Sequence, residues 1–373
     1  MEYKKLGDIA TYINGYPFKP EDRGECGLPI IRIQDLTGNT YDLGYYDGKY
    51  PERIEINNGD ILISWSASLG VYVWNRGKAL LNQHIFKVVF DKVEINKRYF
   101  VYAVQFKLKE MEAKTHGATM KHIVKRDFDS TLIPYPSLKE QSRIAEIIDS
   151  IVKSINMRQK QLQKLDDLVK ARFVELFGDP ISNPKGWKKD KAESHIDLLS
   201  GYPFQSEQYV NDGINICGGL IIMPQKIQWQ DCRHWPSVDG YEDYLLAEDD
   251  IVMALDRPWI SEGFKIAQVD SSHLPALLIQ RTARIRGIDI NQQYLFHCFV
   301  NGGFDKHSNV TGSLVPHISA KDIRSFEILL PPIKLQKQFA AFVKQVDKSK
   351  AVIQKALDEA QLLFDSLMQK YFG

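Results

Sequence analysis

Little in this sequence is one-sided. Lys and Arg number 48 against 47 for Asp and Glu, a formal net charge of +1. No global basic field therefore marks a nucleic-acid partner, although a local basic patch stays compatible with that total. The four cysteines, Cys26, Cys217, Cys232 and Cys298, form no C-x-x-C pair. Their scatter argues against a zinc ribbon or a disulfide framework and fits a reducing cytosol. No run of 18 apolar residues suggests a membrane span, and MEYKKLGDIATY lacks the apolar core of a signal peptide. A cytoplasmic location without membrane attachment is the expectation.

Catalytic signatures are missing as well. The chain has no G-x-x-x-x-G-K-[ST] or G-x-G-x-x-G phosphate loop, no H-E-x-x-H metal pair and no G-x-S-x-G elbow. The nine histidines are dispersed. A chain that performs no chemistry and holds no cofactor or metal of its own is expected.

What the sequence does have is itself, twice. The tetrapeptide at Gly15-Tyr16-Pro17-Phe18 returns at Gly201-Tyr202-Pro203-Phe204. GDILIS from Gly59 resembles DDIVMA from Asp249, LLNQH from Leu80 resembles LLIQR from Leu277, and YFVYAV from Tyr99 resembles YLFHCF from Tyr294. From Met120 and Val315 onward the offset is constant at 195, pairing His122 with His317, Asp127 with Asp322 and Gln141 with Gln336. Both halves close on Phe-Gly, at Phe177-Gly178 and Phe372-Gly373. Repeats of this length are domain-sized, not the ~20–50 residues of solenoid units. One duplicated scaffold carrying two different readout surfaces is the simplest reading. The GYPF copies read as packing turns, since Pro fixes φ while Gly permits close approach.

Short Ile-, Val- and Phe-rich runs such as LPIIRI, DILIS and IFKVVF predict strands, and Lys97–Ala113 predicts a helix. From Ser137 to Phe177 there is neither Pro nor Gly. Ile144, Ile148, Ile151, Ile155, Leu162, Leu165, Val169 and Leu176 step by fours and threes, as do Phe339, Phe342, Val346, Ile353, Leu357, Ala360, Phe364, Leu367 and Tyr371. Such seams predict two long helices pairing as an antiparallel coiled coil. The expected fold is a mixed α/β chain of two α+β domains with pseudo-two-fold repetition. Its expected parts are a first domain over 1–136, a helix over 137–178, a second domain over 179–331 and a C-terminal helix over 332–373.

The segments before each helix are basic and rich in hydrogen-bonding groups: KTHGATMKHIVKRD in one half, DKHSNVTGSLVPHISAKD in the other. Such side chains suit phosphate anchoring and base-edge readout. Composition alone leaves a solvated loop equally open.

The ordered set GATMKHIVKRDFDSTLIPYPSLKEQSRIAEIID, repeated as GSLVPHISAKDIRSFEILLPPIKLQKQFAAFV, resembles the specificity subunits of type I restriction-modification systems. The matching features are the small-Gly-small run, Pro134-Tyr135-Pro136 with Gln141, and Pro331-Pro332 with Gln336. The resemblance covers essentially the whole chain. It implies two target-recognition domains, each reading half of a bipartite double-stranded DNA target, with the helices as the ruler. Half-sites about one DNA turn apart, roughly 10 bp between centres, would follow. It further implies modification (methyltransferase) subunits carrying S-adenosylmethionine and a restriction motor subunit using ATP and Mg as partners. A specificity module for another methyltransferase system, or a coiled-coil scaffold without a DNA role, are the alternatives. Base readout is expected from Ser64, Trp65, Ser66, Lys114, His116, Lys121 and His122 in the first half. In the second it is expected from Asp256, Arg257, Trp259, Lys306, His307 and Asn309. Among these Arg257 is the expected guanine reader, since Arg pairs bidentately with guanine.

Overall fold

A computed structural model describes residues 2–39, 42–114, 123–308 and 317–373. The chain divides into two compact units, Met1–Gln159 with Lys355–Gly373, and Lys160–Gln354. The boundaries between these units fall inside the two long helices, so each unit takes in a stretch of both.

The first unit is built on two four-stranded sheets. One is antiparallel and runs in the order Thr11–Asn14, Ile85–Val89, Ile61–Ser64, Gly70–Val73. The other runs Tyr45–Tyr46, Leu28–Ile31, Ala79–Leu81, Glu55–Ile56, and its central pair is parallel. The second unit repeats the plan. Ile196–Ser200, Thr282–Gly287, Ile251–Ala254 and Ile266–Gln268 form its antiparallel sheet. Arg233–Trp235, Ile214–Cys217 and Ala276–Leu278 form its mixed sheet, again with a parallel pair. A two-stranded ribbon closes each unit, Tyr3–Lys5 with Leu132–Pro134 and Lys189–Lys191 with Glu327–Leu329. Fully buried Ile61, Leu62 and Ile63 show why DILIS is a continuous apolar run and not an alternating one: both faces of that strand meet core.

The repeated tetrapeptide is structural in both copies. A Cβ at Gly15 would stand 2.0 Å from the Asn82 carbonyl oxygen, and one at Gly201 would stand 1.9 Å from that of Ile279. Only glycine lets the turn lie so close. The following amides then donate into the parallel strand, Tyr16 to the Leu81 carbonyl at 2.9 Å and Tyr202 to the Leu278 carbonyl at 3.0 Å. Phe18 and Phe204 are buried beneath, each with its tyrosine ring 5.0 Å away.

The long helices span Leu138–Phe177 and Ile333–Phe372. In the first unit Ile144, Ala145 and Ile148, near the start of one helix, share a core with Met368 and Phe372, at the end of the other. In the second, Val169, Phe173 and Phe177 share a core with Phe339, Val343 and Val346. The pairing is thus antiparallel within each unit. At the C-terminal ends it departs from the predicted seam: Phe177 and Phe372 are fully buried, whereas Leu176 and Tyr371 are only partly so. An α-helix drifts about 20° per heptad from a 3.5-residue repeat, and here the last turn rotates a phenylalanine into the globular core.

One buried glutamine fastens each helix to its unit. Gln141 Oε1 accepts the Asn96 amide at 2.9 Å, and its Nε2 donates to the Pro136 carbonyl at 2.9 Å. Gln336 does the same with the Asn291 amide at 2.9 Å and the Pro331 carbonyl at 2.8 Å. Tyr99 and Tyr294 add matching bonds, to the carbonyls of Pro134 and Leu329 at 2.9 and 3.0 Å. The Pro-then-Gln signature is therefore a joint: proline supplies a carbonyl at the helix entry, and the glutamine amide bridges it to the adjoining helix start.

Candidate nucleic-acid interface

In both units three chain segments meet beyond the edge of the antiparallel sheet. In the second unit the Leu255 amide donates to the Arg281 carbonyl at 2.9 Å, and the Ile318 amide donates to the Leu255 carbonyl at 2.8 Å. In the first, the Trp65 amide reaches the His84 carbonyl at 3.3 Å and the Ile123 amide reaches the Trp65 carbonyl at 2.9 Å. Strand register matches Ser66 with Asp256, Ala67 with Arg257 and His84 with Arg281. The backbone confirms that match. Ala67 and Arg257 have φ of 59° and 45°, and His84 and Arg281 have 72° and 63°. Left-handed φ at non-glycine residues is uncommon. Its recurrence at the same two places marks one inherited frame.

The side chains at the matched turn positions differ, Ser66, Ala67 and His84 in one unit against Asp256, Arg257 and Arg281 in the other, whereas His317 is matched in sequence by His122. In the second unit they form a charged group. His317 Nδ1–H donates to Asp256 Oδ1 at 2.6 Å, and the Arg281 guanidinium stands 3.3 Å from Asp256 Oδ2. A backbone bridge between Asp256 and His317 fixes the first pair. The Arg281 side chain is 74% exposed, that of His317 54% and that of Asp256 34%. Arg257 is exposed beside them. The matched turn of the first unit holds no acid-arginine pair, since Ser66 and His84 stand where Asp256 and Arg281 do. Trp65 stacks on Phe86, with centroids 5.5 Å apart, and meets His84 edge-on at 4.9 Å. Its indole N–H donates to Asn14 Oδ1 at 3.3 Å. The Nδ1 of His84 is buried with no partner among the described residues.

The residues expected to read bases fall into four sets. Asp256 and Arg257 lie in the charged group, and Trp65 and Ser66 lie on the matching turn of the first unit, with Ser66 buried. Ser64, Trp259 and His307 serve the fold. The buried Ser64 hydroxyl donates to the Ser68 carbonyl inside its own turn. Trp259 stacks on Phe264 at 5.0 Å and packs on the core. His307 Nε2–H donates to the Asp322 carbonyl at 3.1 Å, and its ring lies against Phe326. Lys306 is exposed, but it faces Asp179. That carboxyl is held below its ordinary range chiefly by the Ser182 amide and hydroxyl, with a smaller pull from Lys306. The side chain of Lys114, together with His116, Lys121, His122 and Asn309, lies outside the described residues.

Arg281 was not among the expected readers. Its signal is one of two unlike letters between LLNQH and LLIQR, where His84 is matched by Arg281. His317 was visible as the partner of His122, but nothing in the sequence shows its carboxylate at Asp256.

Comparison with known proteins agrees with this architecture. The family model described as "Type I restriction modification DNA specificity domain" matches residues 1–167 and 237–361. The MjaVIII specificity subunit of Methanocaldococcus jannaschii is 26% identical over 95% of this chain and 89% of its own length. The EcoBI specificity subunit of Escherichia coli is 32% identical over 50% of this chain and 39% of its own. The crystal structure of a type I restriction-modification S subunit from M. genitalium shares the fold, with a TM-score of 0.58 at 14% identity over 100% of this chain and 96% of that one. A structure described under complex assembly and conformational transition of the type I R-M system gives a TM-score of 0.53, also at 14% identity, over 100% of this chain and 97% of that one. The chain belongs to the type I restriction modification DNA specificity family and is a specificity subunit of such a system.

Proposed function

We propose that the chain reads a bipartite double-stranded DNA target, one half with each unit, and thereby directs adenine methylation and restriction by partner subunits. The observation that supports this most is the shared three-segment frame with different side chains at matched turn positions: Ser66, Ala67 and His84 in one unit, and Asp256, Arg257 and Arg281 in the other. A scaffold kept twice with different hydrogen-bonding groups at one place suits two sequence readouts.

The chain itself supplies the address and no covalent step. Among the described residues no group of three or more His, Cys, Asp or Glu is placed to hold a metal ion. This reading, which follows from the family resemblance, assigns S-adenosylmethionine to modification subunits, and ATP with Mg to a restriction subunit. The near-neutral charge fits a division of labour in which the modification subunits neutralise phosphates and this chain contributes base contacts. No described helix is long and apolar enough to cross a membrane, and the proposed place of action is the cytoplasm, where the DNA is. The two long helices set the length of the unread spacer.

Single-molecule sequencing of adenine methylation tests this in cells carrying the chain with its methyltransferase partner, against cells lacking only this chain. A new asymmetric motif of two short parts around an unread spacer is the expected result. An unchanged methylation pattern despite an assembled complex would refute it.

A further inference from the structure

We infer that the second unit reads a guanine through Arg281, held in place by Asp256, while its neighbour Arg257 anchors a phosphate. This deepens the DNA-reading proposal above and rests on it.

Charge and geometry separate the two arginines. Arg281 has an acidic partner 3.3 Å away, so the pair carries almost no net charge. A phosphate anchor draws its strength from net positive charge and counterion release, which Asp256 cancels. A base-edge contact depends instead on direction, and a carboxylate on one side of a planar guanidinium holds the other donors at a fixed angle. Asp256 is itself fixed, because its other oxygen accepts from His317 at 2.6 Å and its backbone is bridged to His317. The left-handed φ of 63° at Arg281 and the amide of Leu255 on its carbonyl fix the root of the side chain. With 74% of that side chain exposed, the unused N–H donors are open to a ligand. The partner that matches a forked pair of donors in the major groove is guanine, through O6 and N7.

Arg257 is exposed on the same turn and makes no ion pair or hydrogen bond with its side chain among the described residues, so none of them cancels its charge. That is the state a phosphate contact needs. The first unit has Ala67 and His84 at the two positions, and His84 is packed against Trp65. Neither device exists there, so the guanine belongs to one half of the target only.

The test uses the assembled methyltransferase in cells, with methylation sequencing as the readout. Arg281→Gln and Asp256→Asn should each keep the motif but relax one guanine position in one half, by about 10- to 100-fold in discrimination. Arg281→Lys should not restore it, since a point charge lacks the fork. Arg257→Ala should lower methylation at all sites alike, and binding of the purified complex to duplex DNA should lose about one unit of its salt slope. Uniform loss without relaxation in Arg281→Gln would make Arg281 a phosphate contact and overturn the assignment. So would an unchanged motif. Relaxation at a base other than guanine would overturn the base identity. Failure of the unaltered chain to confer any motif would instead refute DNA reading itself.

Discussion

The two copies agree where they hold themselves together and disagree where they face outward. Gln141 and Gln336 make the same two hydrogen bonds, alike to within 0.1 Å, and the GYPF turns approach their strands equally closely. The turns at Ser66 and Asp256 share backbone but no side-chain chemistry. A duplicated domain keeps the residues whose geometry has one solution and releases those whose partner lies outside the chain. Small differences inside the frame are informative too. Tyr102, hydrogen-bonded to Asp149 at 2.6 Å in the first unit, is matched by His297 in the second.

The largest effects should come from breaking the frame in one copy at a time. Phe372→Ala in the first unit and Phe177→Ala in the second each remove a fully buried ring, at a cost of about 3–5 kcal/mol. Hydrogen exchange should show the loss concentrated in the unit that contains the substitution. Equal loss in both units from either change would mean they do not behave as separate copies. Next, Gln141→Ala and Gln336→Ala each leave a buried amide N–H and a proline carbonyl unpaired. Each should cost about 1–3 kcal/mol, read from denaturant midpoints. A clear inequality between them would show that matching geometry conceals different energetics.

The frame should also respond unequally to acid. Burial, with a lesser push from Lys350, lowers the His297 pKa from 6.5 to about 3. The unfolded chain therefore binds a proton below pH 6.5 that the folded chain refuses, and stability falls as pH drops through that window. The loss attributable to this group is about 2 kcal/mol between roughly pH 7 and 5. Its counterpart Tyr102 has a phenol pushed up by burial and by the Asp149 hydrogen bond, away from this range. The ratio of stabilities at the two pH values should be flatter in His297→Tyr than in the parent. An unchanged slope would remove His297 as the cause. The smallest effect belongs to the outward face: Arg281→Gln should change stability by no more than about 0.5 kcal/mol, the ordinary range for an exposed side chain. A larger loss in thermal melting would mean that the Asp256 group holds the fold together.

Much of the frame is legible in the sequence because its causes are local. Freedom from Pro and Gly, with apolar steps of four and three, specifies the long helices, and Pro-then-Gln marks their joint. The last helical turn is not legible: Phe177 and Phe372 are buried by globular cores distant in sequence, and the heptad points to their neighbours. The parallel pairing of Leu28–Ile31 with Ala79–Leu81 is hidden for the same reason, since strands so far apart leave no local mark. At the interface, the turn at Asp256 and Arg257 stands out as the place where the copies diverge. Residue type alone cannot separate a reader from an anchor. Trp259 and His307 have the chemistry of readers, yet each is engaged within its own unit, Trp259 stacked on Phe264 and His307 hydrogen-bonded to the Asp322 carbonyl. Arg281 acquires its role only through a carboxylate 25 positions earlier in the chain.

The most direct test of one unit per half-target is methylation sequencing with single-unit changes at the matched turns. Ser66→Asp with His84→Arg alters only the first unit, and Asp256→Ser with Arg281→His alters only the second. Each pair should change one part of the motif and leave the other part, and the spacer length, as they were. A change in both parts from either pair, or the same part changed by both, would contradict a target divided between the two units.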